Sequence, residues 1–117
     1  MKTFQKEHQI ICRLEVGDEI LTELKYLAAT FPTQLGTIKG IGACDVVVVA
    51  LSGNVDYGFG TIVVHLLASF ARLDTSVFGG HLERAAISRT GELIVSLIPV
   101  SIGRVTHTAT KLQVLDI

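Results

Sequence analysis

The chain has 117 residues, of which 49% are apolar and 18% charged, and its formal net charge is −1. This length fits one domain and leaves no room for two, so we expect a single domain over residues 1–117. The apolar content excludes intrinsic disorder. A mean hydropathy of +0.52 is high for so small a domain, and we therefore expect part of the apolar surface to lie in a subunit interface.

Composition also limits the partners and the compartment. The basic residues are scattered from Lys2 to Lys111 without a basic patch, and no Arg-Gly-Arg-Pro minor-groove hook occurs, so direct binding of nucleic acid is not expected. Cys12 and Cys44 lie in separate strand-like runs and are interpreted as free buried thiols. No signal segment or membrane span is apparent, which indicates a cytoplasmic protein with no membrane contact.

The N-terminal quarter predicts one strand and one helix. Residues 8–16 alternate between apolar and polar, as a half-buried strand does. Its predicted apolar side consists of Ile10, Cys12, Leu14 and Val16. Asp18 is predicted to cap a helix whose apolar positions over 20–31 follow helical spacing, and this helix is predicted to end before Pro32.

The rest of the chain predicts β-structure. Residues 41–51 form a β-branched run that predicts a central strand, whereas 52–54 and 56–60 predict turns, with Asn54 as a turn residue. Further strands are predicted over 61–70, 82–87, 93–100 and 112–117. Because the links are short, antiparallel pairing is favoured. The predicted fold class is α/β (α+β), a mostly antiparallel β-sheet with one main helix packed on it.

Two histidines are candidates for chemistry. His65 interrupts the apolar face of the strand 61–70, and Gly79-Gly80-His81 follows sixteen residues later. Two imidazoles that meet across a sheet could hold a divalent metal such as zinc. The alternative is a core histidine with a satisfied hydrogen bond and a histidine that caps a turn. Spacing alone favours the alternative, because zinc sites usually need at least three protein ligands.

Several short segments together resemble a known family. In order they are Gly40-Ile41-Gly42-Ala43, Leu51-Ser52-Gly53-Asn54-Val55, His65, Phe78-Gly79-Gly80-His81-Leu82 and Thr90-Gly91-Glu92. With the N-terminal strand, Gly17, the helix and residues 104–115, they resemble the PPC domain (plants and prokaryotes conserved). That domain stands alone in bacteria and archaea and is attached to AT-hooks in plants. The resemblance covers nearly the whole chain.

The resemblance implies an antiparallel α/β fold assembled as a homotrimer. In plant members the AT-hook binds DNA, while the domain mediates assembly and contacts with other proteins. Several prokaryotic members carry a His-x-His pair and a Gly-Gly-His segment that resemble a metal-binding cluster. Here His65 and His81 match, but Leu67 replaces the middle histidine. The chain also lacks a hairpin that members usually have, because Ala43 is only nine positions from Ser52.

Three other polar residues have two readings each. Glu92 could be a metal ligand or a general base, or it could be an exposed strand-edge residue. Arg104 could bind an anion, or it could form an ion pair between subunits. His107 could be a ligand or a surface residue, and the surface interpretation is favoured.

Three functions are compatible with these observations. The first is a homotrimeric binding protein, non-catalytic and with a regulatory role, for a partner or a small ligand. The second is a small enzyme that acts on a small anionic substrate. Its site would consist of His65, His81 and Glu92 at a subunit interface, with Arg104 from a neighbouring subunit. The third is a DNA-associated regulator, which rests on family naming alone. No nucleophile elbow, phosphate-binding loop or dinucleotide fingerprint is present.

Overall fold

A computed structural model of the protein describes residues 1–31 and 35–117. In chain order its elements are β1 (Lys2–Lys6), β2 (Gln9–Leu14), α1 (Ile20–Ala28), β3 (Leu35–Ala43), β4 (Val47–Asp56), a 3-10 turn (Gly58–Gly60), β5 (Val63–Ala71), β6 (Val77–His81), β7 (Gly91–Ile98), β8 (Arg104–Thr106) and β9 (Gln113–Leu115). The helix ends at Ala28 and not at Phe31 as predicted, while Pro32 lies outside the described residues. No helix in the described ranges is long and apolar enough to cross a membrane.

Seven of the strands form one sheet in the order β1-β2-β7-β3-β4-β5-β6, and every pairing within it is antiparallel. β8 and β9 pair antiparallel in a separate hairpin. Together with the one α-helix, this arrangement confirms the predicted fold class.

The core lies on one face of the sheet, where α1 covers it. The strands alternate buried and exposed residues along β2 and β7, as expected for a sheet with one covered face. On this side, the helix face, the buried residues include Cys12, Ile38, Leu66 and Val95, which share one cluster with Ile20, Leu24 and Leu27 of α1. The molecule measures only 19 Å along its shortest axis, which is room for the sheet and one helical layer.

The other side of the sheet, the open face, carries no helix in the described part of the chain. Large apolar side chains are exposed there, and most of them alternate with buried neighbours on their strands. They are Ile11, Ile41, Val47, Leu67, Ile94 and Ile98. This face supplies the surplus apolar surface that the composition predicted.

The N-terminal region differs from the prediction in three respects. Residues 2–6, whose polar side chains gave no strand signal, form edge strand β1. Val16 is exposed, because β2 ends at Leu14. The helix is capped by Glu19 and not by Asp18: the Glu19 carboxylate accepts the backbone N–H groups of Leu21 and Thr22, while Asp18 accepts the N–H of Glu15.

The predicted central strand 41–51 is wrong. β3 ends at Ala43, Cys44–Val46 make the bend, and β4 begins at Val47. Residues 52–54, predicted as a turn, continue β4 between β3 and β5. Glycine is required at position 53, because a Cβ there would lie 1.8 Å from the carbonyl oxygen of His65. The glycine therefore marks close packing of strands and not a turn, and Asn54 is a strand residue.

Residues 79–87 also differ from the prediction. Gly79-Gly80-His81 is part of β6, so His81 is a strand residue and does not cap a turn. Residues 82–87 form no strand and make only an isolated bridge between Ala86 and Glu19. Leu82 and Ile87 indicated a strand because they are apolar. Both are buried in the core, although the segment that carries them is irregular.

Candidate functional site

Strand register brings a row of polar residues together on the open face. Gln9, Ser96, Thr37, Asn54 and His65 are successive cross-strand partners on β2, β7, β3, β4 and β5. Because direct partners in a sheet point to the same face, their side chains form a continuous polar row. Gln9 donates to the Ser96 hydroxyl at 3.4 Å. This row divides an otherwise apolar surface.

A second row runs beside it, two residues further along each strand. Lys39 pairs with Ser52 across β3 and β4, Ser52 pairs with Leu67, and Leu67 pairs with His81. The two rows enclose a recess of about 580 Å³ between β3 and β6. The polar side chains that line it are Thr37, Lys39, Ser52, Asn54, His65 and His81.

The two candidate histidines meet in this recess. The ring centroids of His65 and His81 are 6.0 Å apart, and the rings are nearly perpendicular at 70°. Partial burial lowers the pKa of His65, and the positive charge of Arg104 lowers it further, while Asp56 opposes the shift. At neutral pH His65 is therefore a neutral imidazole that can both donate and accept a hydrogen bond.

A buried ion pair lies beside the recess. The Arg104 Nε donates to both carboxylate oxygens of Asp56 at 3.1 and 3.0 Å, and its Nη2 donates to Oδ2 at 2.7 Å. The Asp56 side chain is 0% exposed. The Arg104 Nη1 donates to the Gln113 carbonyl, so this guanidinium ties β8 and β9 to the end of β4. The anion-binding role of Arg104 stays a prediction.

The other predicted residues lie apart from the recess within one chain. Glu92 is on β7, opposite Arg13 and Ile41. β3 and β4 separate it from His65, about 14 Å across the sheet at ordinary strand spacing, and Glu92 also lies four residues along β7 from Ser96, the β7 residue in the row of His65. A grouping of Glu92 with the histidines across a subunit interface stays a prediction. His107 is exposed in the β8–β9 turn, where its Nδ1 contacts Thr110.

The residues present do not complete a zinc site. Within residues 1–31 and 35–117, no three His, Cys, Asp or Glu side chains come together as a metal cluster. Leu67 faces His81 directly and lies two residues from His65 on the same face, so it occupies the place where a third ligand would stand. Two imidazoles alone fall short of the three protein ligands of a catalytic zinc site.

Sequence reasoning missed Lys39, Thr37, Ser52 and Asp56. Ser52 was missed because 52–54 was assigned to a turn, and Asp56 because it was included in the predicted turn 56–60, of which 58–60 is indeed a turn. Thr37 and Lys39 were missed because only the register of β3 with β4 and β5 brings them to the histidines. Had residues 51–56 been taken as a strand, period-2 alternation would have placed Ser52, Asn54 and Asp56 on one face. Cys12 is a free buried thiol, as predicted, whereas Cys44 is free but only half-buried, and burial raises the pKa of Cys12 to about 11.

Residues 45–99 match the family model of the Plants and Prokaryotes Conserved (PCC) domain. This segment runs from the β3–β4 bend through β7 and so contains both histidines. No curated protein matches the chain significantly.

Solved structures share the fold over nearly the whole chain. A protein from Bacteroides thetaiotaomicron, named as a candidate DNA-binding protein, has a TM-score of 0.92 at 22% identity, covering 98% of this chain and 96% of that one. A metal-containing protein from Archaeoglobus fulgidus has a TM-score of 0.81 at 20% identity, covering 98% and 99%. A plant- and prokaryote-conserved (PPC) protein from Pyrococcus horikoshii has a TM-score of 0.78 at 21% identity, covering 98% and 93%. The predicted resemblance is thereby confirmed: residues 45–99 match the model of the PPC domain family, and the chain has the fold of a PPC protein.

Proposed function

We propose that this protein is a non-catalytic binding protein, a homotrimer that holds a small anionic ligand in the recess on its open face. The observation that carries the proposal is the gathering of Lys39, Asn54, His65 and His81 in one recess of the open face, beside exposed apolar side chains. Ligand sites typically combine apolar walls with a few convergent polar groups.

The chemistry of the lining favours an anion. Lys39 supplies a positive charge, Asn54 an amide, and Ser52 and Thr37 hydroxyl groups, all of which can donate to a carboxylate or a phosphate. No carboxylate lines the recess among the described residues. The nearby charge of Asp56 is neutralised by Arg104. The recess therefore offers an anion the positive charge of Lys39 but offers a cation no negative charge.

The same lining supports binding more than catalysis. Covalent catalysis needs a nucleophile within hydrogen-bond reach of its base. In the described part of the chain, the Asp56 carboxylate acts on His65 only through its charge, because it is hydrogen-bonded to Arg104 instead. Regulation by ligand-dependent assembly is the role that a recess on an apolar, interface-forming face best serves.

The exposed apolar residues support the homotrimer. Ile94 and Ile11 continue the second row beyond Lys39 onto β7 and β2, and Ile41 lies two residues further along β3. Such an exposed apolar patch is typical of subunit interfaces. Multi-angle light scattering should give a particle built from units of three 12.6 kDa chains. A particle of one chain at all concentrations would overturn the trimer.

Thermal unfolding tests the ligand proposal, because a ligand that binds only the folded state raises Tm. Inorganic phosphate, used as the probe, should raise the Tm of the wild type and fail to raise that of Lys39→Gln. Lys25→Gln, which removes an exposed lysine of α1, is the matched control and should respond as the wild type does. Equal responses of all three proteins would refute a site at Lys39.

The name of the Bacteroides relative makes association with DNA a second candidate. The net charge of −1 opposes it, because affinity for the DNA backbone depends on clustered positive charge. A gel shift with duplex DNA at micromolar protein and several salt concentrations would decide. A salt-dependent shift would support this second candidate, and no shift would exclude it.

A further inference from the structure

Strand β6 is an uncovered edge of the seven-stranded sheet. It is last in the strand order, and all five of its residues are exposed. No described residue pairs with its outer side. Edge strands present unpaired backbone groups and are ready templates for another strand.

The backbone groups that face outward can be assigned from the hydrogen bonds to β5. The Leu82 N–H donates to the Leu66 carbonyl, and the Arg72 N–H donates to the Ser76 carbonyl. Because hydrogen-bonded pairs alternate along an antiparallel ladder, Phe78 and Gly80 also bond to β5. The N–H and C=O groups of Val77, Gly79 and His81 must then point away from the sheet.

The opposite edge of the sheet is protected, and β6 is not. β1 carries Lys2 and Lys6, and lysine on an edge strand discourages pairing with another chain. β6 has neither a lysine nor a proline, and its sequence is VFGGH. The contrast indicates that β6 is an edge kept free for pairing.

We propose that β6 pairs antiparallel with β6 of a second copy of this chain, about a two-fold axis at Gly79. In this register Val77 faces His81 of the partner subunit, and Gly79 faces Gly79 of the partner subunit. All the outward N–H and C=O groups of the three residues then pair, which joins two sheets into one continuous sheet across the interface. The same patch serves both copies, as a two-fold interface requires.

The side chains of β6 are complementary to themselves in this register. Phe78 faces Gly80 of the partner subunit, on the helix face. A Cβ at Gly80 would meet nothing within 4 Å, so no contact within the described chain requires glycine there. Phe78 stacks on Phe70 with the ring centroids 5.4 Å apart and is still 41% exposed. An aromatic ring that covers an edge glycine across two strands stabilises the pair.

Sedimentation over a range of concentrations tests the pairing. Gly80→Lys places a charge in the open space beside the edge, and Val77→Pro removes an outward N–H that β5 does not use. Either change should halve the particle mass that the wild type reaches at high concentration. Leu73→Lys adds the same charge at a fully exposed position outside β6 and should leave the mass unchanged. Equal masses for all four proteins would overturn the proposal.

Disulfide trapping tests the register. A chain with Phe78→Cys, mixed with a chain with Gly80→Cys, should form a mixed disulfide, because directly opposed residues of a non-hydrogen-bonded pair lie about 4.5 Å apart at Cα. Both chains carry Cys44→Ser to remove a half-exposed native thiol. Gly80→Cys mixed with Val77→Cys is the control, since these side chains point to opposite faces. Equal cross-linking of both mixtures would refute the register.

The pairing is independent of the proposed trimer. The substitution Gly80→Lys blocks the β6 edge. This variant should form a particle of three chains if the proposed trimer is correct, and a particle of fewer chains if it is not. Halving of the mass supports the β6 contact in both cases.

Discussion

The imidazoles of His65 and His81 lie edge to face with ring centroids 6.0 Å apart, although the residues come from neighbouring strands β5 and β6. Leu67 is the direct partner of His81 and shares the face of His65. Leu67 therefore stands where a histidine would complete a group of three imidazoles with His65 and His81. The arrangement supplies two of the three protein ligands that a zinc site usually has.

Restoring a third ligand should create a zinc site. Leu67 is 59% exposed, so Leu67→His should fold normally and place three imidazoles on one face. We expect this variant, freed of any tag and dialysed against zinc, to hold about one zinc per chain, because three histidines suffice for a zinc site. Metal analysis by mass spectrometry measures it.

The control for that experiment is Leu67→His combined with His65→Ala, which should lose the metal again. Zinc bound as tightly by the wild type as by Leu67→His would contradict the argument that the third ligand is missing.

The pKa of His65 should lie below the ordinary histidine value of 6.5, because burial and the charge of Arg104 both disfavour its protonation. Below pH 6.5 the unfolded chain then binds the proton more readily than the folded one, so His65 should lower stability as the pH falls from 6.5 towards its folded pKa. NMR titration of the ring protons measures the pKa directly. His65→Gln should reduce the loss of stability in this range, and a titration at or above 6.5 would contradict the prediction.

Breaking the buried ion pair should be costly. Asp56→Asn leaves the Arg104 guanidinium, whose side chain is 6% exposed, without its counter-charge. We expect the free energy of unfolding to fall by about 3 kcal/mol, measured by urea denaturation. Glu15→Gln, which removes an exposed carboxylate 3.4 Å from Arg13, should change it by less than about 1 kcal/mol. Equal effects of the two substitutions would show that Asp56 is not a structural residue.

Substitution by alanine should change the stability of the protein differently at the two neighbouring glycines of β6. A Cβ at Gly79 would lie 2.5 Å from the carbonyl oxygen of Ala68, whereas one at Gly80 would meet nothing. Gly79→Ala should destabilise the protein by about 2 kcal/mol through overpacking. Gly80→Ala should leave stability unchanged or raise it by a few tenths of a kcal/mol. Urea denaturation at one low protein concentration compares them, and similar losses for both would contradict this account of β6.

Much of the fold could be predicted from period-2 alternation. The pattern placed β2, β5 and β7 within two or three residues and put His65, Leu67 and Ser69 on one face, because one face of the sheet is buried and the other is not. The helix was predicted from its spacing. Its cap was not, since Asp18 and Glu19 are adjacent acidic residues and only the geometry shows which carboxylate accepts the N–H groups.

The site could be predicted only in part. His65 was found because it interrupts an apolar strand, and His81 because it follows two glycines that were taken as a turn signal but lie in strand β6, where Gly79 packs closely on β5. A glycine selected for strand packing and one selected for a turn look the same in a single sequence. Lys39 and Asn54 become site residues only through the register of β3 with β4 and β5, which no local pattern specifies.

The most direct test of the central claim is an amide NMR titration of the protein with inorganic phosphate. At about 10 mM phosphate even a millimolar site is mostly filled. We predict chemical-shift changes that cluster at Lys39, Asn54, His65 and His81 and that disappear in Lys39→Gln. Spectra that do not change, or changes confined to residues remote from the recess, would contradict the account.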